Sequence, residues 1–158
     1  MPLEDFKAMG VSDTGRCSYS GYLNTKGVAD SYGDIPYNLN GQPVYDLARM
    51  MTNPVVLVDH VNSSGMIAGR FTKITEDQRG LYVEFELCNP DTEAKNPKVA
   101  HAVKMWEIGF ARALSMGGEW RFEDPMNPAH LTKAIIHEGS CVAIGADMNA
   151  LAAQKPAE

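Results

Sequence analysis

Cysteine is scarce in this sequence. The three residues, Cys17, Cys88 and Cys141, stand far apart and form no C-x-x-C pair. An odd, sparse set excludes a disulfide framework and a cysteine zinc site, and it fits a reducing compartment. Basic charge is also short. With 14 Lys and Arg against 20 Asp and Glu, the formal net charge is −6, so a groove that tracks nucleic-acid phosphates is not expected. No apolar run approaches the ~20 residues that a membrane-spanning helix needs. The acidic opening Met1-Pro2-Leu3-Glu4-Asp5 lacks the apolar segment of a secretory signal. Gly65 to Gly69 is not followed by Gly-Lys-Ser/Thr, so it is no phosphate loop. The four histidines include no pair at metal-ligand spacing, and His130 and His137 fall in different settings, so no metal or other cofactor is expected. No internal repeat and no linker divides the 158 residues, which fits one main domain.

What is present is an ordinary globular composition, 44% hydrophobic and 22% charged. Residues 1–16 carry no clear periodicity and read as an arm or first strand. Cys17 to Leu23 alternates and reads as a strand. Pro43 to Met51 reads as a short helix, with Val44, Leu47 and Met51 on one face. Val55-Val56-Leu57-Val58 is a β-branched run of the kind found in buried strands, and it delivers Asp59-His60 to its carboxyl end. Met66 to Ile74 follows as a strand. Leu81 to Leu87 alternates cleanly, with Leu81, Val83, Phe85 and Leu87 on one side. Lys98 to Phe110 reads as a helix whose apolar face holds Val99, Ala102, Val103, Trp106 and Phe110. Strands are expected again around Ser115 and within Leu131 to Ile144. Residues 146–158 read as a short helix that frays into an Ala-rich tail over 151–158, leaving 17–150 as the main domain. Strands and helices do not alternate as βαβ units. The expected fold class is therefore α+β, mainly β: a mostly antiparallel β-barrel or sandwich with a few peripheral helices.

Three side chains have surroundings suited to chemistry. Ser115 stands at the end of an apolar run, with Gly117 and Gly118 close behind it. Small residues there let a substrate approach and free the N–H groups of Met116, Gly117 and Gly118 to face a developing oxyanion. The alternative is a plain Ser-Gly turn. His60 sits where a strand meets the loop Val61-Asn62-Ser63-Ser64-Gly65, a good place for a general base; the alternative is a surface histidine capping the strand. Asp59 points the other way if the strand continues, and so is a poor partner for His60. Glu138, in Ile136-His137-Glu138-Gly139-Ser140, shares a strand face with Ile136, Ser140 and Val142. A carboxylate among apolar neighbours needs a partner, such as an imidazole N–H, unless it faces water at the strand end. His137 points oppositely. His101, off the apolar helix face, and His130, in a loop, are weaker candidates.

Five stretches occur in order: Gly21-Tyr22 with Asp30-Ser31-Tyr32-Gly33-Asp34; Val55 to His60 with Ile67-Ala68-Gly69-Arg70; Asp77, Gly80 and Leu81; Ser115-Met116-Gly117 behind an amphipathic helix; and Glu138-Gly139-Ser140. In order and spacing they resemble the prohead maturation proteases of tailed bacteriophages, a family similar in fold to the herpesvirus assemblins. The resemblance runs from about Ser18 to Ala150. Gly118, Gly139 and Gly145-Ala146-Asp147 depart from the family's pattern without removing a candidate side chain. The resemblance implies an assemblin-like barrel and a serine endopeptidase. Ser115 would be the nucleophile, His60 the base and Glu138 the residue orienting it, with His137 as rival because assemblins use a second histidine. It also implies partners: a scaffold protein and a major capsid protein, cut during procapsid maturation in the host cytoplasm, with dimerisation and self-cleavage. Neither nucleic acid nor membrane is an expected partner. The other outcome is an inactive capsid assembly or decoration protein that keeps the fold.

Overall fold

The computed structural model describes residues 14–156. The arm expected over 1–16 lies almost wholly outside the described residues. The strands are β1 (Cys17–Thr25), β2 (Ile35–Pro36), β3 (Tyr45–Asp46), β4 (Val55–Val58), β5 (Ile67–Glu76), β6 (Gly80–Leu87), β7 (Ala113–Arg121), β8 (His130–Leu131), β9 (Lys133–Val142) and β10 (Ala152–Gln154). The helices are α1 (Ala48–Thr52) and α2 (Pro97–Glu107). The chain is mainly β, as expected for this α+β class.

The expected closed barrel is not formed. One eight-stranded sheet runs in the order β10-β1-β6-β5-β4-β9-β3, and β7 also pairs with β9; β2 and β8 form a separate parallel pair. The flanks of the sheet meet only briefly. Leu114 N–H donates to Ala150 O at 2.8 Å, Ala152 N–H donates to Arg112 O at 2.9 Å, and Ala113 bridges Leu151. Beyond Leu114, β7 has no strand on its outer edge among the described residues. Strand β9 is the hub. It pairs in parallel with β3 and β4, and antiparallel with β7.

The core follows the alternation of β6: Leu81, Val83, Phe85 and Leu87 are all buried. The Phe85 ring stacks on Tyr19 and meets Phe71 and Trp106 edge-on. Helix α2 begins where its caps dictate. Asn96 accepts the Lys98 N–H at 2.9 Å, and Pro97 occupies the first turn, where its missing donor costs nothing. Val99, Val103 and Trp106 are buried as expected. Phe110 is not: Gly109, at φ +80, turns the chain off the helix and leaves Phe110 83% exposed.

Two further expectations change. The helix expected from Pro43 starts only at Ala48, because tertiary bonds claim the preceding residues. The N–H groups of Val44 and Tyr45 both donate to the Glu76 carboxylate at 3.0 Å, and Tyr45–Asp46 pairs with Ala134–Ile135. Over 146–156, the described part of the tail, the expected helix does not form. Its segment is too short to nucleate a helix cheaply, and the edge of β1 supplies partners instead, with Tyr19 opposite Gln154 and Gly21 opposite Ala152.

Candidate active site

His60 is held by a strained turn rather than by a strand. Strand β4 ends at Val58, and Val61 N–H closes onto Val58 O at 3.1 Å. The two central residues, Asp59 and His60, have φ of 54 and 60, the left-handed region that L-residues avoid at a cost of about 1–3 kcal/mol each. Strand β9 fastens them. Asp59 N–H donates to Cys141 O at 3.0 Å, and His60 N–H donates to Ser140 Oγ at 3.1 Å. Positive φ at both positions resembles a type I′ turn, and it lifts the His60 ring away from the strand's own alternation. Asp59 makes no hydrogen bond to that ring.

The strand carrying Glu138 is bulged. Ser115 lies opposite Ser140 and Gly117 opposite Glu138, but Gly118 lies opposite Ile136. One step along β7 thus spans two on β9, and His137 is the extra residue. This corrects the expected alternation. Ile136 turns into the core, fully buried, while Glu138 and Ser140 share the face of Ser115 and Gly117. A bulge re-aims a side chain in this way at little cost to the rest of the ladder. His137 turns away and bonds the Glu119 carboxylate through Nε2 at 2.9 Å.

These two devices bring His60 and Glu138 together. The Nδ1 of His60 lies 2.5 Å from Glu138 Oε1. An ionised carboxylate only accepts, so the proton belongs on Nδ1 and the lone pair on Nε2. The second oxygen, Oε2, accepts from Ser140 Oγ at 2.7 Å. The His60 pKa is raised above its ordinary value. The largest cause is the hydrogen bond to Glu138; burial opposes it, and the charges of Glu138 and Asp59 add to it. Gly117 is what permits the approach. A Cβ there would collide with Glu138 Oε1 and stand 3.3 Å from His60 Nδ1. Its φ is not positive, so close approach, not backbone conformation, calls for glycine.

Ser115 and His60 line one cavity of about 590 Å³, together with Met116, Trp120 and Ile144. They are not hydrogen-bonded to one another, which is common before a substrate binds. Among the three oxyanion candidates, strand alternation separates the N–H groups. Leu114 N–H points away from β9 to Ala150, so Met116 and Gly118 N–H project to the same open edge, whereas Gly117 N–H turns toward β9. His130 is remote from this group and bonds Asp124 at 3.1 Å. Among the described residues, no group of three or more His, Cys, Asp or Glu could hold a metal ion. No described helix is long and apolar enough to cross a membrane.

Ser140 was not singled out from the sequence as a site residue. Its position two residues from Glu138 on an alternating strand was the available signal.

No protein-family model matches this chain. No curated protein matches it either. Solved structures do. It is similar to the protease of KSHV in complex with a hexapeptide phosphonate inhibitor, at TM-score 0.48 and 12% identity over 89% of this chain. It is similar to the varicella-zoster virus protease at TM-score 0.47 and 10% identity, and to a second KSHV protease structure at 0.46 and 9%, again over 89% of this chain. The chain spans 65%, 64% and 61% of those three chains. Likeness at this level assigns no role to any residue.

If this pair serves as a base and the carboxylate that orients it, two outcomes follow. Gly117→Ala should push Glu138 and His60 apart and lower kcat about 100-fold, with the thermal transition retained; an unimpaired variant would contradict the close-approach role. Glu138→Gln should lower kcat by about 10²–10⁴-fold and move the acid limb of kcat/KM to lower pH. The sign follows from the raised His60 pKa: a histidine acts as a base only when neutral, so a reaction that used His60 in that role would rise as pH climbs through that value, and losing Glu138 lowers the value. The stabilising effect of the pair runs the other way, full below the ordinary histidine range and fading as pH rises through the raised value. An acid limb that stays in place would remove Glu138 from the site.

Proposed function

We propose that this chain is a serine endopeptidase of procapsid maturation in a tailed bacteriophage. The observation that carries the peptidase reading is the His60–Glu138 link. It fixes the proton on Nδ1 and leaves Nε2 as a base in the cavity that Ser115 lines. Ser115 Oγ attacks the scissile carbonyl carbon and passes its proton to His60 Nε2. Glu138 stabilises the imidazolium. The oxyanion is met by the outward N–H of Met116, next to Ser115 on β7; the Gly118 N–H, two strand residues or about 6.7 Å farther along, is too distant to share the same oxygen. The tetrahedral intermediate collapses as His60 returns the proton to the leaving amine, and an ester on Ser115 remains. Water, deprotonated by the same nitrogen, hydrolyses that ester and restores Ser115.

The open edge of β7 suits an extended substrate. Its N–H and C=O groups beyond Leu114, unpaired among the described residues, are available for strand addition, which positions a peptide backbone without regard to most of its side chains. The phage assignment is supported by the order of the five motifs in the sequence. On this reading the substrates are a scaffold protein, the major capsid protein and the chain itself, cut inside the assembling procapsid by a self-associated enzyme. Strand β10 is docked on β1, so self-cleavage within 151–154 requires that strand to be released first.

The test is co-expression with the neighbouring scaffold and capsid genes, read by intact mass. Wild type should yield defined fragments, and Ser115→Ala should leave every chain whole. Uncut partners in assembled procapsids with the wild-type chain would overturn the proposal.

A further inference from the structure

We infer that Ser140 is a positioning residue of this site, the bracket that holds the His60 main chain and the Glu138 carboxylate in one frame. Its hydroxyl is fully buried and has both hydrogen-bonding roles filled. It accepts the His60 N–H at 3.1 Å and donates to Glu138 Oε2 at 2.7 Å. The two contacts act on opposite ends of the same link. One ties down a residue at φ 60, a conformation that L-residues avoid. The other aims the carboxylate, since a carboxylate with Oε2 fixed presents Oε1 to the ring in one direction only. The parallel pairing of β4 and β9 sets the distance, with Leu57 opposite Ser140 and Val58 opposite Cys141.

Ser140 and Ser115 are cross-strand partners on one face, so proximity alone does not separate their roles. Exposure and bonding do. Ser115 is half-buried and lines the cavity, whereas Ser140 is sealed and fully bonded. A hydroxyl that donates to Glu138 has no proton to give to His60 Nε2. Ser140 therefore acts through the pair and not on the substrate. Without it, Oε2 loses a buried donor and the His60 N–H loses a buried acceptor, so the carboxylate is free to rotate and the turn to relax. The consequence for rate rests on the peptidase reading; the positioning itself does not.

The experiment is proton–nitrogen NMR of the His60 ring in the whole chain, for wild type, Ser140→Ala and Ser140→Cys, with cleavage of co-expressed partners followed in parallel. Wild type should show the Nδ1–H tautomer with a strongly downfield ring proton. In Ser140→Ala that proton should move upfield and the Nε2–H tautomer should gain population, while cleavage slows by roughly 100-fold at most. Ser140→Cys, similar in shape but a weak donor, should fall between them, and it decides the matter if the alanine variant does not fold. Unchanged His60 ring signals in the folded variants would overturn the inference, even if stability falls. Ring signals that respond as described in a wild-type chain that cuts nothing would keep Ser140 as the bracket and remove the peptidase reading.

Discussion

The site depends on one short hydrogen bond, from His60 Nδ1 to Glu138 Oε1 at 2.5 Å. Beside the Ser140 hydroxyl, four features of the backbone make it possible. Parallel pairing sets the end of β4 beside the C-terminal half of β9. The left-handed pair Asp59–His60 lifts the imidazole over that strand. The bulge at His137 turns Glu138 out of the core. The absence of a side chain at Gly117 clears the space between them. None of these four conditions is local to the two side chains, and each is needed to keep them within hydrogen-bond distance.

The arrangement also concentrates cost. Two consecutive residues in a disfavoured conformation are held because their N–H groups both donate to β9, to Cys141 O and Ser140 Oγ. Strain of this kind persists where the surrounding packing is firm. Here the firmness comes from β1, β5, β6 and α2, whose aromatic cluster of Tyr19, Phe71, Phe85 and Trp106 lies under the sheet. The core is thus a support for a turn that the turn's own residues do not favour.

Much of the support could be read from the sequence. The alternation of Leu81 to Leu87 and the i, i+3, i+4 spacing in Val99 to Trp106 report burial directly, because each residue's environment follows from period alone. The site was readable only as residue types. Ser115, His60 and Glu138 could be named, but the bulge and the left-handed turn could not, since both depend on pairing with a distant strand. That is why period alone puts Ile136 on the face of Glu138, and why it sets Ser140 on that face without revealing its bonds to the carboxylate and to the His60 N–H. The tail fails for the same reason: an Ala-rich segment has weak preferences, and the edge of β1 decides. The barrel expectation overreached because closure needs continuous pairing along β7, which stops near Leu114.

The most direct measurement of the central claim is covalent labelling with a fluorophosphonate, followed by intact mass and peptide mapping of the wild-type chain and of His60→Ala. The account predicts a single adduct on Ser115 that forms in wild type and is lost in His60→Ala. No adduct, an adduct on another serine, or labelling indifferent to His60 would contradict it.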